Sequence, residues 1–315
     1  MPAPWDRVSQ AYVSGVSGAG GTATSGSAEF QAYNLRLGSY YACFYPGSAG
    51  THLDTPTQCS NAVEFALGQN EPTHLRLQLG LESDSMKVMF VTNSTVTPFV
   101  RFWPEDDASD VRTAFGTSET YTREDLCQVP TDDGQGSWLD PGYIHTVTLT
   151  GLSPSVRYTY SAGQSLAVLS KPRTFSARRD APGAGAAPTY PFVFNVYADQ
   201  EYMQPFCPRC ATHSTYGPGP GSYALAQRIA ANDVPAGSAF AAHIGDLGYA
   251  LNYALVWELF AHTNQEVWSV MPVAVTVGEP PCWLTLPRSH AVAPPERAPT
   301  PSPLSTPASG PRRQP

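Results

Sequence analysis

The sequence predicts a β-rich chain in two parts, an antiparallel β-sandwich followed by an α/β unit. Three observations carry this. Between residues 71 and 177, short runs alternate apolar and polar side chains at period two and are separated by turn residues, as antiparallel strands with one solvated face do. Between 190 and 278 the pattern becomes three nearly continuous apolar runs separated by two stretches of helical spacing, which suits doubly buried parallel strands joined by helices. Between the two parts, 178–189 is rich in Ala, Gly and Pro and reads as a linker.

In chain order, residues 1–27 are dominated by Gly, Ser, Ala and Thr and read as a flexible leader. Residues 28–70 carry apolar stretches at 30–37 and 40–45, enough for a partial β-region. In the sandwich, Leu75, Leu77 and Leu79 alternate with polar neighbours, 86–91 and 99–103 follow, and Tyr143, His145, Val147 and Leu149 fall on one face of a further strand. Val156, Tyr158 and Tyr160 form another alternating run, and Thr174-Phe175 closes the series. Leu149-Thr150-Gly151-Leu152-Ser153-Pro154, with Tyr158 four residues after the Pro, resembles the corner of a fibronectin type III domain, where a Tyr hydroxyl bonds back to the turn.

In the α/β unit, the run 192–198 ends at Asp199, the run 239–244 ends at Gly245-Asp246, and the run 273–277 ends at Gly278. The helical stretches between them are 221–232, with Tyr223, Ala226, Ile229 and Ala230 on one face, and 252–262, through Leu255, Leu259 and Phe260. From 279 to 315 there are 11 Pro in 37 positions and no periodicity, so this tail is predicted to be disordered.

Composition removes several function classes. The chain has 315 residues, 42% of them apolar, enough for a substantial core. Net charge is −8, and only Lys87 and Lys171 among the 18 basic residues are Lys; without a basic stripe, nucleic acid is excluded as a partner. No apolar run reaches 18 residues, so no membrane-spanning helix, and no membrane partner, is expected. Residues 1–15 lack the charged-then-apolar pattern of a signal peptide. The six Cys do not form a disulfide scaffold at this length: Cys43, Cys59, Cys127 and Cys282 are scattered, and Cys207 and Cys210 form a lone CxxC. That pair reads as a loop disulfide or free thiols, and less readily as a metal site, which would need a second pair. Asn93-Ser94-Thr95 makes Asn93 a glycosylation candidate. Neither a phosphate-binding P-loop nor GxSxG nor HExxH is present.

The chemistry is therefore sought at the carboxyl ends of the α/β strands, where such sheets place it. Asp199 and Asp246 each close a buried strand. Two carboxylates meeting over one sheet edge repel unless a cation holds them. Tyr249, three residues after Asp246, can reach the same point, and a phenolate suits a trivalent ion such as Fe³⁺. The plainer alternative is an Asp that caps a helix and a Tyr in the core. His243 reads as a structural strand histidine or as a neighbour of the metal ligands, whereas His74, His145, His213 and His262 have no ligand spacing.

His243-Ile244-Gly245-Asp246-Leu247-Gly248-Tyr249-Ala250 resembles the second metal motif of purple acid phosphatases, the group of calcineurin-like metallophosphoesterases distinguished by the Tyr. Val196-Tyr197-Ala198-Asp199 is similar to their first motif, although Gln200-Glu201 departs from the Asp-x-Gly expected there. The strings 140–145, 151–154 and 158–160 resemble the amino-terminal fibronectin-like domain of the large plant-type members, and 30–34 with 42–44 resemble the β-region before it. The resemblance covers about residues 28–278 and implies a sandwich joined to an αββα metallophosphoesterase domain. It implies hydrolysis of phosphomonoesters at acid pH by an Fe³⁺ ion paired with Zn, Mn or Fe. Asp199 and Tyr249 would bind the ferric ion and Asp246 would bridge both metals. It also implies a secreted protein.

The third motif departs. Where the family has Gly-Asn-His-Glu/Asp, this chain has Gly278-Glu279-Pro280-Pro281, and the only later His is His290, in the Pro-rich tail. The α/β domain is therefore expected to be incomplete, with a metal site lacking several ligands. The alternative function is a catalytically inactive, truncated homologue or a binding fragment. A frameshift, retained intron or alternative splice after Gly278 would produce such a tail. Sequencing the transcript past the codon for Gly278 tests this, with an isoform encoding Asn-His as the expected result.

Overall fold

The computed structural model describes residues 33–44, 58–125, 138–178, 193–201, 221–248, 250 and 254–276. The expected leader at 1–27, linker residues 179–189 and the tail at 279–315 lie outside the described residues, as do Tyr249, His213, His290, Cys127, Cys282 and the Cys207–Cys210 pair.

β1 (Cys43–Phe44), at the end of the first described segment, and β2 (Gln58–Cys59), at the start of the second, pair antiparallel. A disulfide between Cys43 and Cys59 staples them across a separation of 16 residues. Closing a loop of this size adds about 3 kcal/mol by restricting the unfolded chain. The scattered cysteines of the sequence carried no sign of this pairing, which the β1–β2 ladder creates by setting Cys43 opposite Cys59.

Eight strands follow: β3 (Thr73–Leu79), β4 (Met86–Thr92), β5 (Phe99–Pro104), β6 (Arg112–Glu119), β7 (Tyr143–Leu149), β8 (Arg157–Ser165), β9 (Val168–Leu169) and β10 (Arg173–Ser176). They form one antiparallel sheet in the order β10-β8-β5-β6-β7-β4-β3, with β9 on β8. Inward side chains from both ends of this path, among them Leu77, Val88, Val147, Phe102, Tyr160 and Phe175, share one buried cluster, so the sheet curls over a single core. The turn of the curl lies in β6. Its first half, 112–115, pairs with β5, and its second half, 116–119, pairs with β7. At the handover Gly116 lies so close to β7 that a Cβ would stand 2.1 Å from the Thr146 carbonyl oxygen. The period-two patterning does not announce β6, because none of its residues is fully buried and it has no apolar face to read.

Several polar groups inside the sheet are matched. The Tyr158 hydroxyl accepts from the Ser153 N–H at 3.0 Å, the contact that the Pro154–Tyr158 spacing predicts. His145 is fully buried between Thr92 and Ser118. Gln164 spends its amide N–H groups on the carbonyls of Ser94 and Val96, so its oxygen faces Thr92 and accepts from that hydroxyl at 2.8 Å. The Thr92 oxygen then accepts from His145 Nε2–H at 2.8 Å, leaving Nδ1 to accept from the Ser118 hydroxyl at 2.7 Å. Burial keeps this imidazole neutral, with its pKa lowered to about 4.

The remaining elements are β11 (Asn195–Tyr197), β12 (Gln200–Glu201), α1 (Gly221–Arg228), β13 (Ala241–His243), β14 (Leu247–Gly248), α2 (Ala254–Trp268) and β15 (Val273–Val275). β11, β13 and β15 form a parallel sheet in that order, and β12 pairs parallel with β14. α1 passes into a π-turn at Ile229–Asp233. β11 and β13 occupy only the interior of the apolar runs at 192–198 and 239–244, and β15 covers the first three residues of the run at 273–277. α2, conversely, outruns its periodicity by six residues. Its last turns are polar, and they persist because the polar groups find partners: Asn264 with Gln200, Gln265 with the Leu75 N–H, and Glu266 with Arg173. Its apolar side, Leu259, Phe260, Val267 and Trp268, packs with Ala226, Ile229, Ala241 and Met271.

Tyr158→Phe removes one neutral hydrogen bond and leaves the Ser153 N–H without its acceptor, so it should lower unfolding stability by about 1 kcal/mol. Urea denaturation of the variant and the parent checks this through the shift in midpoint at constant slope.

Candidate functional site

The parallel register sets three strand ends level, with Tyr197 opposite His243 and His243 opposite Val275. The ladder continues past the strands: the Ile244 N–H donates to the Tyr197 carbonyl at 2.9 Å, the Thr276 N–H to the His243 carbonyl at 2.9 Å, and the Asp199 N–H to the Gly245 carbonyl at 3.3 Å. Directly beyond, Gln200 pairs with Leu247 in the short β12–β14 ladder. Asp199 and Asp246 therefore occupy neighbouring positions at the carboxyl edge, each at the step between a strand and its short continuation.

Both steps are sharp. Asp199 has φ 53° and Asp246 has φ 54°, the left-handed region that side chains other than Gly seldom enter. Such a conformation costs of order 1 kcal/mol where the surroundings hold it, and Asp is among the residues that tolerate it best. Gly245 at φ 129° and Gly248 at φ 63° bracket Asp246 and take up the rest of the turn. At Gly248 a Cβ would also stand 3.3 Å from both Phe260 and Trp257, so the glycine lets α2 approach the site. Asp199 is exposed and Asp246 partly so, which leaves the edge accessible from solvent.

Beneath this edge, His243 is fully buried. Its ring meets Tyr197 edge-on at 4.8 Å and Phe260 at 6.2 Å. Neither ring nitrogen finds a hydrogen-bond partner among the described residues. Burial pushes its pKa down, and the carboxylates of Asp199 and Asp246 act in the opposite direction. His243 is thus both a strand histidine and an electrostatic neighbour of the two acids. Gln200, the residue that departs from the expected Asp-x-Gly, is buried and donates to Asn264 Oδ1 at 2.8 Å, while Asn264 donates to the Phe260 carbonyl at 2.9 Å. This amide pair ties the turn after Asp199 to α2. The departure from the motif marked the position, but the partner ten residues inside the helix had no sequence signal.

Two carboxylates on one strand edge offer hard oxygen donors of the kind that Fe³⁺ and divalent ions take. Among the described residues no three His, Cys, Asp or Glu side chains gather closely enough to hold a metal ion. Tyr249, the expected phenolate, lies outside the described residues. Asn93 is exposed on the bend after β4, where its side-chain amide donates to Gln69 at 3.2 Å.

Residues 72–177 match the family described as purple acid phosphatase, N-terminal domain. The chain is 29% identical over 259 residues to the Arabidopsis thaliana protein named probable inactive purple acid phosphatase 27, covering 79% of this chain and 39% of that one. It is 25% identical over 223 residues to probable inactive purple acid phosphatase 9 of the same plant, covering 70% and 32%. A purple acid phosphatase isolated from yellow lupin (Lupinus luteus) seeds has a similar structure, with a TM-score of 0.57 and 25% identity over 73% of this chain and 39% of that one. The chain thus spans about two fifths of the length of these relatives or less.

Gly248→Ala forces a β-carbon into a left-handed position against two aromatic rings, so it should cost about 1–2 kcal/mol of stability. Thermal unfolding followed by circular dichroism gives the difference; a cost near zero would show that the Gly245–Gly248 turn relaxes freely.

Proposed function

Because the chain is of the purple acid phosphatase type, we propose that its α/β unit contributes the first part of a two-metal site for hydrolysing phosphomonoesters. The observation that carries this is the pair Asp199 and Asp246 on adjoining parallel strand ends, held in matching left-handed turns. In this reading residues 71–177 form a fibronectin-like sandwich and 190–278 the opening part of a metallophosphoesterase domain. Asp199 and Tyr249 would hold Fe³⁺, and Asp246 would lie between it and a Zn, Mn or Fe ion. A metal pair of this kind neutralises phosphate charge and supplies a hydroxide at mild pH. The described residues fit part of such a ligand set. The chain's own contribution is to fix the two carboxylates: Gly245 and Gly248 permit the turn, and the Gln200–Asn264 hydrogen bond anchors it.

A second reading rests on a specific observation, the replacement of the Asn-His ligands by Glu279-Pro280-Pro281. On that reading the chain is an inactive homologue, in keeping with the printed names of its Arabidopsis relatives. Secretion is supported by the Cys43–Cys59 disulfide, since such bonds persist in oxidising compartments, and by an exposed sequon at Asn93.

Hydrolysis of a chromogenic phosphomonoester near pH 5, with iron and zinc measured on the same sample, separates the readings. The hydrolytic reading expects two metals per chain and turnover that Asp246→Asn lowers at least a hundredfold. Metal-free protein without turnover selects the inactive homologue.

A further inference from the structure

Away from the strand ends, the described residues contain a second concentration of charge. Arg36, His74 and Glu258 are each less than a tenth exposed, and they come from the segment before β1, from β3 and from α2. Arg36 lies 2.6 Å from one oxygen of Glu258, and His74 Nε2 lies 3.4 Å from the other. The Arg36–Glu258 approach is close but not aligned as a hydrogen bond, so charge rather than hydrogen-bond geometry dominates it. His262, one helical turn beyond Glu258, meets the His74 ring edge-on at 4.6 Å and the Tyr33 ring at 5.0 Å. Part of the His262 side chain reaches solvent, but its Nε2 is sealed and unpartnered among the described residues.

The cluster is balanced only while both imidazoles are neutral. Arg36 and Glu258 then cancel. Adding a proton to either ring places a second cation near Arg36, at His74 in a buried position and at His262 on a ring whose Nε2 is sealed from water. The other charged or titratable groups around it do not offset this. Arg76 adds to the repulsion at His74, and its opposing charge, Glu119, is on β6. Tyr40 and Tyr121 lie within electrostatic reach of Arg36 and Glu258, Asp140 lies within reach of Tyr121, and Glu71 is taken up by the Asn34 amide at 2.8 Å. Desolvation accordingly holds His74 well below its ordinary value, and it lowers His262 to about 4.

The geometry points to an acid-released latch: protonation of His74 and His262 frees α2 from the curled sheet and from the segment that carries Arg36. The hydrogen bonds and ion pairs that then remain between the helix end and the sheet are few. They are the Leu75 N–H to Gln265 at 3.0 Å, Tyr160 Oη to the Ser269 carbonyl at 2.8 Å, and the exposed Arg173–Glu266 pair. The sign follows from linkage. The docked form binds protons more weakly than the open form, so docking is fully present above about pH 6.5 and is lost as the pH falls towards 4. Glu258 opposes this in part, because burial raises its pKa, so the docked form holds that proton more tightly than the open form does. For His262 alone the docked-to-open ratio should fall roughly a hundredfold between pH 7 and pH 4.

Hydrogen exchange of the full chain, corrected for intrinsic rates, reads this at 254–268 and, as a reference, at 99–104 in β5. The expected result is a loss of protection of about a hundredfold or more at 254–268 between pH 7 and pH 4, ahead of any loss in β5. His74→Phe with His262→Phe should abolish that loss in the helix while leaving the acid sensitivity of His145 in the sheet. Full protection of 254–268 at pH 4 in the parent would overturn the proposal, as would an undiminished acid loss in the double variant. Should the double variant not fold, His262→Gln alone must reduce the acid loss severalfold, and an unchanged loss in it is equally fatal.

Discussion

One 15-residue helix, α2, bears the constraint on which both halves of the molecule depend: it must bury two unlike sides at once. Its apolar side fills the space over the parallel strands with Leu259, Phe260 and Val267. Its other side is polar, and it is buried as well, since Glu258, Thr263 and Asn264 are all nearly inaccessible. Polar groups removed from water must be matched or they destabilise the fold. Partners for most of them come from far along the chain: Arg36 beside Glu258, Gln200 on Asn264, Leu75 on Gln265 and Arg173 on Glu266, while the Thr263 hydroxyl finds none among the described residues. The hydrophobic side supplies the drive to dock, and the polar side restricts docking to one orientation.

That orientation reaches the strand ends. Gln200 follows Asp199 directly and is hydrogen-bonded to α2, while Gly248 packs against Phe260 and Trp257 of the same helix. The two left-handed aspartates are therefore held from below by a helix whose own position is set by the sheet domain. Local strain at such places is sustained by surrounding structure that over-determines it. Here the surrounding structure consists of residues with no chemistry of their own.

How much of this was legible in the sequence varied with the range of the interaction. Strands with an inward apolar row, such as β4 and β7, follow from period two, and the Tyr158 corner follows from one Pro and one Tyr at a fixed offset. The strand-end positions of Asp199 and Asp246 follow from where the apolar runs stop. β6 was not legible, because it changes partner midway and buries no residue fully. The last turns of α2 were not legible either, since their polar residues look like a helix leaving the core until their partners are known. The Cys43–Cys59 pairing and the Arg36–Glu258–His74–His262 cluster are of the same kind. Each joins residues whose nearness is created by the fold, and nothing in their spacing marks them.

The curled sheet has two ends, β3 and β10, and α2 attends to both. The Leu75 N–H on β3 is satisfied by a glutamine of the helix, and Arg173 on β10 is clamped by its glutamate neighbour, Glu266. A bare strand at the margin of a sheet is a template on which another chain can add a strand of its own. By taking up a backbone N–H of β3, α2 guards part of one margin against self-association, so a molecule that lost its grip on this helix would become sticky before it became unfolded.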